Sequence, residues 1–415
     1  MNEITAAFVG GLFDQSGIAA WSRPVLFGTA GDAVRGYLPE QMHCCFVQDE
    51  REQALAGADS LPLDAGGRFA ALGALTAQAH VLVLAAPFVL AEGDALTRLL
   101  DMHCDTGYGV SVLADTQQGY DAEGQPVPGD APCLAAVFTG ETLRQALDSG
   151  ADTLDGLIAA AVDAGAQKGV AMTAEIVEIC DGSTAFIALR ALIDRVNFAL
   201  IEQGVQIFDP ANTYIAPDAQ IAPGATILPG CHIRPGCTVG AGAVFGPITV
   251  LDKAVIGAGT KVDSSQVYES TVGSGTTVGP FAYIRPQCVV GDGCRIGDFV
   301  ELKKSTIGDG TKVSHLTYVG DAQVGERVNF GCGTVVVNYD GYHKHQTVIG
   351  DDCFIGCNTN LVSPVKLGDR AFTAAGTTVT HDVPAGALSV ARVRQTDLAG
   401  WNDRRRAQHE KKDSE

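Results

Sequence analysis

The feature that most constrains this chain is a six-residue repeat in its second half. From Thr213 onward the sequence divides into TYIAPD, AQIAPG, ATILPG, CHIRPG and CTVGAG, with a branched apolar residue at the third position of each unit. The rhythm continues, with occasional slips of a residue, to about Val379. A hexapeptide period of this kind is typical of a parallel β-helix, in which three short strands and their turns close one triangular coil. The branched residues are predicted to point into the prism, and small residues to occupy the turns.

The first 205 residues follow a different pattern. Apolar strand-like runs alternate with Ala- and Leu-rich helical runs, as in Val81–Leu84, Ala95–Asp101, Val110–Leu113, Leu134–Phe138, Leu154–Ala164 and Ala188–Gln203. Such alternation predicts an α/β domain with a largely parallel, Rossmann-like sheet. We therefore expect three parts: an α/β domain over 1–205, a β-helix over 206–392 and a charged tail over 393–415.

Charge and composition exclude several classes of partner. The formal net charge of −20 argues against nucleic acid and anionic membranes, although a small anionic substrate needs only a local cationic pocket. No basic segment followed by a long apolar run stands at the start, and VLVLAAPFVLA is too short for a membrane span. The twelve cysteines are scattered and form no CxxC pair, so we expect free thiols in the reducing cytoplasm.

Charged and aromatic residues interrupt the repeat within a stretch of sixty residues. They are Arg285, Glu301, Lys303, Lys304, His315, Tyr318, Asn329, Asn338, Tyr339 and Lys344. Because neighbouring strands of a sheet lie about 4.8 Å apart, residues on successive coils stack into one patch. The segment Asn338–Gln346 (NYDGYHKHQ) is too long for a turn and is predicted to loop out of the prism, where functional residues often lie.

Several of these segments carry a resemblance. GPFAYIRP, GDFVELKKSTIGDGTKVSHLTYVGDAQVG, VNFGCGTVVVNYDGYHKHQTVIGDDCFIG, AAGTTVTHDVP and ARVRQTDLAGW, all within Gly279–Trp401, are similar to the acetyltransferase half of bifunctional UDP-N-acetylglucosamine pyrophosphorylase/glucosamine-1-phosphate N-acetyltransferases. The resemblance implies a left-handed β-helix, a cytoplasmic homotrimer and acetyl-CoA as co-substrate. It also implies N-acetylation of glucosamine-1-phosphate on the route to UDP-N-acetylglucosamine, a peptidoglycan precursor.

The resemblance further implies a role for individual residues. His315 matches the general base, and Arg285 and Lys303 match residues that hold the sugar phosphate. Further sugar-phosphate contacts are implied for Tyr318, Asn329 and Lys344. Contacts with the reacting groups or with acetyl-CoA are implied for Asn338, Tyr339, Cys332, Cys357, Ala375 and Arg392.

The chemistry is consistent with these residue types. A hexosamine amine must be neutral to attack a thioester, and histidine, with an ordinary pKa of about 6.5, can take its proton near neutral pH. We expect Glu301 to fix the tautomer of His315, and the turn amides to stabilise the oxyanion. Arg285 and Lys303 suit a phosphate, and Lys344 is expected to reach the His315 of a neighbouring subunit.

Two other interpretations of the same residues were weighed. Cys332 and Cys357 stand where the related enzymes have small residues, and they are interpreted as tolerated substitutions rather than nucleophiles. His343 and His345, together with His315, suggest a three-histidine zinc site, but the spacing does not match that of β-helical carbonic anhydrases. No metal site is predicted in the β-helix.

The first half departs from the bifunctional enzymes. Gly10, Gly11 and Arg23 are present, but the glycine-rich loop that cradles UTP is not, and Ala85-Ala86 stands where a magnesium-binding Asp is expected. The segment DGSTAFIALR lacks the expected Gly-Val-Asn element. We therefore predict a shortened, degenerate nucleotidyltransferase-like domain that has lost uridylyl transfer, with Mg²⁺ needed only if it is active. The alternatives are a full bifunctional enzyme and a non-catalytic scaffold or regulatory subunit.

Overall fold

The computed structural model describes residues 4–10, 12–13, 18–26, 28–39, 41–63, 67–90, 92–115, 132–174 and 176–412. The chain forms two compact units. The first comprises 1–219 and 227–235, and the second comprises 220–226 and 236–415. The first unit therefore includes the α/β sheet and the beginning of the hexapeptide repeat. The domain boundaries drawn from the sequence at 205 and 392 stay predictions.

A seven-stranded sheet forms the centre of the first unit. The strands of this unit, numbered in chain order, are β1 (Ile4–Val9), β2 (Pro24–Val25), β3 (Gly28–Thr29), β4 (His43–Gln48), β5 (Asp59–Pro62), β6 (His80–Leu84), β7 (Phe88–Leu90), β8 (Val110–Asp115), β9 (Ala135–Thr139), β10 (Lys168–Thr173) and β11 (Ile176–Glu178). The sheet order is β10-β8-β9-β6-β1-β4-β5. Only β9 runs antiparallel to its neighbours in this sheet, so the predicted α/β class with a largely parallel sheet is confirmed.

Helices follow most of these strands. They are α1 (Ala30–Arg35), α2 (Ala95–Thr106), α3 (Gly140–Leu147), α4 (Leu154–Asp163) and α5 (Gly182–Glu202). Thr153 caps the start of α4, and Asp181 caps α5 through a reciprocal capping box with Thr184. Alternate residues of β1 point to opposite faces of the sheet, so Phe8 and Val9 enter two separate apolar clusters. The sheet is thus buried on both sides, as a parallel sheet requires.

The repeat forms three parallel sheets, one for each face of a prism. The first face contains Gln206–Ile207, Thr226–Ile227, Val244–Phe245, Lys261–Val262, Thr277–Val278, Arg295–Asp298, Lys312–His315, Asn329–Phe330, Phe354–Ile355, Phe372–Thr373 and Leu388–Ser389. The second contains Tyr214–Ile215, His232–Ile233, Val250–Asp252, Gln266–Tyr268, Tyr283–Ile284, Glu301–Lys303, Tyr318–Gly320, Val335–Val337, Asn360–Val362 and Thr378–Val379. The third contains Gln220–Ile221, Thr238–Val239, Val255–Ile256, Thr271–Val272, Val289–Val290, Thr306–Ile307, Ala322–Val324, Thr347–Ile349 and Val365–Leu367.

The branched residue of each hexapeptide fills the prism, as predicted. Ile215, Ile227 and Ile233 have no exposed surface, and Val239 is only 2% exposed. Every third strand pairs in parallel register with the strand one coil earlier, so equivalent positions stack along each face. The architecture is a left-handed parallel β-helix of hexapeptide repeats. It holds outward side chains of successive coils at the fixed spacing of a sheet.

A sixth helix, α6 (Trp401–Lys412), follows the last coil. In the part of the chain that the structure describes, no helix is both long enough and apolar enough to cross a bilayer.

Candidate active site

The second face of the β-helix carries a cluster of three cationic side chains. Lys303 ends one strand of this face, and Arg285 follows the strand one coil below, at the equivalent position. Lys344 approaches Lys303 from the loop above. The nearby Lys344 ammonium lowers the pKa of Lys303, and Arg285 adds to this effect. Three cations held this close repel one another, so the cluster favours binding of an anion.

Glu301 balances only one of these charges. Its carboxylate Oε1 accepts a hydrogen bond from Nη1 of Arg285 at 2.8 Å, and this contact raises the pKa of Arg285. Glu301 begins its strand on this face and stands in register with Tyr283 one coil below and Tyr318 one coil above. The two side chains of the ion pair are 40% and 39% exposed, so the pair lies within reach of solvent and ligands.

The loop Asn338–Gln346 folds back on itself. The amide of His345 donates to the carbonyl of Asn338 at 2.8 Å, and Tyr339 pairs with Lys344 in a short antiparallel bridge. Asp340 accepts from the amides of Tyr342 and His343 and binds Nε2 of His345 at 2.7 Å. These contacts return Lys344 to the Lys303 of its own chain. This differs from the prediction that Lys344 completes the phosphate pocket of a neighbouring subunit.

Tyr318 and Asn338 lie beside the cations. Nδ2 of Asn338 donates to the carboxylate of Asp321 and approaches the hydroxyl of Tyr318 at 3.4 Å. Gly320 makes this arrangement possible, because a Cβ there would come within 2.4 Å of the Tyr318 hydroxyl. The glycine of the LTYVG motif therefore leaves room for the two polar side chains over the backbone.

His315 lies where the first face turns into the second. Its Nδ1 is 2.8 Å from Oδ1 of Asp298, and this contact lowers the pKa of Asp298. The predicted partner, Glu301, is incorrect, because Glu301 is paired with Arg285. The register explains the difference, since Asp298 stands directly below His315 whereas Glu301 stands below Tyr318.

Residues predicted to contact acetyl-CoA form a second group. Cys332, Cys357 and Ala375 each stand two residues after paired positions of the first face, the position that His315 occupies one coil earlier. Nη1 of Arg392 donates to the carbonyl of Ala375 at 2.8 Å. His315 and these turn residues thus form one column along the edge of the prism, which we call the turn column (residues His315, Cys332, Cys357 and Ala375).

The remaining predicted residues lie elsewhere. Asn338 and Tyr339, predicted near acetyl-CoA, belong to the loop beside the cations. Asn329 is half-buried on the first face, in register with Lys312. The structure therefore brings together Arg285, Lys303, Tyr318, Asn338 and Lys344, and separately His315, Cys332, Cys357, Ala375 and Arg392.

Sequence reasoning missed Asp298 and Asp321. Asp298 could have been found by alignment of coils, because it precedes His315 by one coil of 17 residues. Among the described residues, no group of three His, Cys, Asp or Glu side chains could hold a metal. All twelve cysteines are free thiols.

A nucleotide site in the first unit would be expected at the carboxyl ends of β1 and β6. This is where parallel α/β sheets bind ligands, because the strand order reverses there. The guanidinium of Arg68 fills this place and donates to the carbonyls of Gly10 at 2.9 Å and Ala85 at 2.9 Å, with Val9 at 3.4 Å. Burial lowers the pKa of Arg68, and the nearby carboxylate of Glu52 offsets only part of this effect.

Two predicted features of the nucleotide site have structural roles instead. Gly10 lies under the carboxylate of Glu52, and a Cβ at this position would come within 2.2 Å of Oε2. Ala85 and Ala86 are buried in the apolar clusters on either side of the sheet. Gly11, the second glycine considered in the sequence, lies outside the described residues.

A chain of polar contacts links helix α2 to strands β6 and β8 of the same sheet. Nδ1 of His103 is 2.9 Å from the hydroxyl of Ser111, and its Nε2 is 3.1 Å from Nδ1 of His80. His103 has no exposed surface, and burial, with the neighbouring His80, lowers its pKa to about 4. This histidine is therefore neutral in the folded protein.

Comparison with known proteins bears on the second half of the chain. Residues 266–367 match a family model described as the GMPPB C-terminal domain, and residues 212–247 match the bacterial transferase hexapeptide (six repeats). The bifunctional protein GlmU of Clostridium perfringens is 56% identical over 213 residues, which are 51% of this chain and 47% of that protein. The GlmU of Clostridium novyi is 54% identical over 207 residues, 50% of this chain and 45% of that protein.

These matches confirm the resemblance drawn from the motifs. The chain spans about half the length of the curated relatives that it matches. A solved UDP-N-acetylglucosamine acyltransferase of Arabidopsis is also similar, with a TM-score of 0.32 and 20% identity over 46% of this chain and 76% of that one. A 2-C-methyl-D-erythritol 4-phosphate cytidylyltransferase from Thermus thermophilus has a TM-score of 0.33 and 19% identity over 45% of this chain and 97% of that one. These two likenesses are too distant to support a statement about function.

Proposed function

We propose that the chain is an acetyl-CoA-dependent N-acetyltransferase that converts glucosamine-1-phosphate into N-acetylglucosamine-1-phosphate. The observation that carries the proposal is the cluster of Arg285, Lys303 and Lys344, whose mutual repulsion a phosphate would relieve. Arginine offers a planar fork and lysine a compact charge, a combination suited to a phosphate monoester. The identity with GlmU proteins supports this choice of substrate.

His315 is the proposed general base. With Nδ1 directed at Asp298, its Nε2 is available to the substrate amine. The lone pair of the substrate amine attacks the thioester carbonyl of acetyl-CoA, and the amine proton passes to Nε2 of His315. The C–S bond then breaks, and the CoA thiolate leaves as the thiol by taking up the proton that Nε2 of His315 now holds. Acetyl-CoA is proposed to lie along the turn column, whose amides can donate to the developing oxyanion.

We propose that the active form is a homotrimer in which each site uses two subunits. His315 lies at the corner where the second face begins and Lys303 lies where that face ends, so the two residues are roughly 10–15 Å apart across the face. The amine and phosphate of the substrate, however, are on neighbouring carbon atoms. A histidine from one subunit facing the cations of the next fits this substrate better than the two groups of one chain.

An exposed apolar ridge supports the same assembly. Phe281, Phe299 and Leu316 occupy equivalent corners of three successive coils and are 60–61% exposed. Their φ angles of 59°, 56° and 36° are costly for bulky side chains. Phe281 and Phe299 are stacked with their ring centres 5.7 Å apart. Since Leu316 follows His315 directly, a subunit packed on this ridge would lie beside the base.

The uridylyltransferase reaction is proposed to be lost. Arg68 and Glu52 occupy the carboxyl ends of the central strands, where a nucleotide would otherwise bind. Ala85 and Ala86 stand in the position of the expected carboxylate, and the described carboxylate at this place, Glu52, lies against Gly10 and near the guanidinium of Arg68. The twelve free thiols are consistent with the proposed cytoplasmic location.

Two assays on one preparation test the proposal. Release of CoA is measured with acetyl-CoA and glucosamine-1-phosphate, and release of pyrophosphate with UTP, N-acetylglucosamine-1-phosphate and Mg²⁺. We expect the first activity and not the second. Activity in both would favour the full bifunctional enzyme, and activity in neither would favour the scaffold.

Mixed trimers test the shared site. Subunits with His315→Ala and subunits with Lys303→Ala are co-expressed and the mixed assemblies purified. If base and cations come from different subunits, some mixed sites contain neither change, and activity exceeds that of both parents. Activity no higher than the average of the parents would exclude the shared site.

A further inference from the structure

We infer that Asp298 is a positioning residue for the base of the acetyl transfer. It holds His315 in the one tautomer that can accept a proton from the substrate. This inference rests on the proposed function. Neither the motif resemblance nor the relatives assign a role to this aspartate.

The two side chains are placed by the scaffold rather than by chance contact. Asp298 and His315 are register partners on the first face, and their side chains meet at 2.8 Å. The amide of Leu316 also donates to the carbonyl of Asp298 at 2.9 Å, which fixes the backbone beside the pair. Gly297 permits this close approach, because a Cβ there would come within 1.9 Å of the carbonyl oxygen of Ser314.

The chemistry of the contact determines which nitrogen carries the proton. An ionised carboxylate can only accept a hydrogen bond, so Nδ1 of His315 must be the donor. The lone pair of the neutral ring is then on Nε2, which points away from Asp298 toward the substrate. The contact with His315 lowers the pKa of Asp298, so the carboxylate is ionised at neutral pH.

Glu301 does not provide the same function within the chain. It is held by Arg285 at 2.8 Å and lies on the second face. It would have to break this ion pair before it could orient the histidine. Asp298 is therefore the acidic residue that both stands in register with His315 and contacts its Nδ1.

Replacement by asparagine gives a specific test. The carboxamide has nearly the same shape, but its NH₂ group can donate to Nδ1 and so place the proton on Nε2. A base protonated on Nε2 cannot accept the substrate proton. In serine proteases the same substitution beside the catalytic histidine leaves the geometry intact and lowers kcat by about 10⁴.

The experiment compares Asp298→Asn with Asp309→Asn. Asp309 lies on the same prism and accepts a hydrogen bond from the amide of Asp292, so the control removes the same charge without a histidine partner. We expect Asp298→Asn to lower kcat by about 10²–10⁴ while KM for the amino sugar phosphate changes less than threefold. The control should keep its kcat within twofold. A kcat for Asp298→Asn within twofold of the wild type would overturn the inference.

A second measurement does not depend on activity. Imidazole ¹⁵N NMR of histidine-labelled protein reports which ring nitrogen is protonated, and a His315→Gln variant identifies the signal among the nine histidines. We expect the wild type to be protonated on Nδ1 when neutral, and Asp298→Asn to move the proton to Nε2. A wild-type ring protonated on Nε2 would contradict the inference.

The two measurements separate the inference from the proposed function. If the wild type transfers no acetyl group, the proposed function fails, and Asp298 with it loses its role in that reaction. The NMR result then still decides whether Asp298 fixes the tautomer. If the wild type is active and the tautomer does not depend on Asp298, only the inference fails.

Discussion

The two halves of the molecule differ in how their cationic side chains are paired. At the carboxyl ends of β1 and β6, the guanidinium of Arg68 donates to three backbone carbonyls and lies near the carboxylate of Glu52. On the second face of the β-helix, Arg285, Lys303 and Lys344 are close together and only Arg285 has a strong anionic partner. The first arrangement satisfies its hydrogen-bond donors within the fold, whereas the second brings like charges together.

This difference shows why fold alone is a poor guide to function here. The α/β sheet is largely parallel, and Arg68 occupies the carboxyl ends of its central strands, where such sheets commonly bind ligands. The β-helix is a regular scaffold, and residues proposed for catalysis and phosphate binding, such as His315 and Lys303, point outward from it.

The largest expected effect concerns the proposed base. His315→Ala should lower kcat by about 10²–10⁴, the usual contribution of a general base, as measured by CoA release. His409→Ala changes an exposed histidine on α6 and should leave kcat unchanged. If His315→Ala turned over as fast as the wild type, His315 would not be the general base.

The buried histidine of the first unit should make its stability depend on pH. The pKa of His103, about 4 in the folded state, lies below the ordinary value of 6.5, so the unfolded chain binds more protons between these values. The contribution of neutral His103 to the free energy of unfolding is therefore fully present above pH 6.5 and is lost as the pH drops toward 4. Between pH 7 and pH 4.5 the loss should be about 2–3 kcal/mol in urea unfolding. His103→Gln should remove this part of the pH dependence; an unchanged profile would show that the histidine is not responsible.

Lys344→Ala should weaken substrate binding more than catalysis. Loss of one charge-assisted contact, worth about 1.5–3 kcal/mol, should raise KM for glucosamine-1-phosphate about 10- to 100-fold. Without substrate the melting temperature should not fall, because repulsion of Lys303 is relieved. Lys304→Ala serves as the control, because it removes the same charge from an exposed residue that follows Lys303 in the chain. An equal effect of both changes would indicate general charge rather than a defined phosphate site.

The smallest effect is expected in the crevice of the first unit. Arg68→Ala leaves buried carbonyls without a donor and should lower the free energy of unfolding by about 1–3 kcal/mol. Arg144→Ala on the exposed face of α3 should have no such effect. Neither variant should release pyrophosphate from UTP. A gain of UTP binding in Arg68→Ala would show that this side chain hides a usable nucleotide site.

The regular parts of the molecule could be predicted because each follows a local rule. The six-residue period gave the inward positions Ile215 to Val239, and strand–helix alternation gave the α/β class. The partner of His315 was missed, because Glu301 is nearer in sequence while Asp298 is nearer in space. The position of Lys344 beside Lys303 depends on the hydrogen bonds around Asp340, which the six-residue repeat does not predict. The role of Arg68 depends on contacts 58 residues apart in the chain.

The turn column has a consequence for how such a protein can change. Because Asp298, His315, Cys332 and Cys357 occupy equivalent places of successive coils, their spacing along the prism is set by the number of coils between them. Insertion of one complete coil after His315 would keep every inward residue inward, yet move the cofactor-side residues by about 4.8 Å. Insertion of a single residue would instead turn inward side chains outward. The distance between His315 and the residues proposed to contact acetyl-CoA can therefore change only in steps of one coil, about 4.8 Å each.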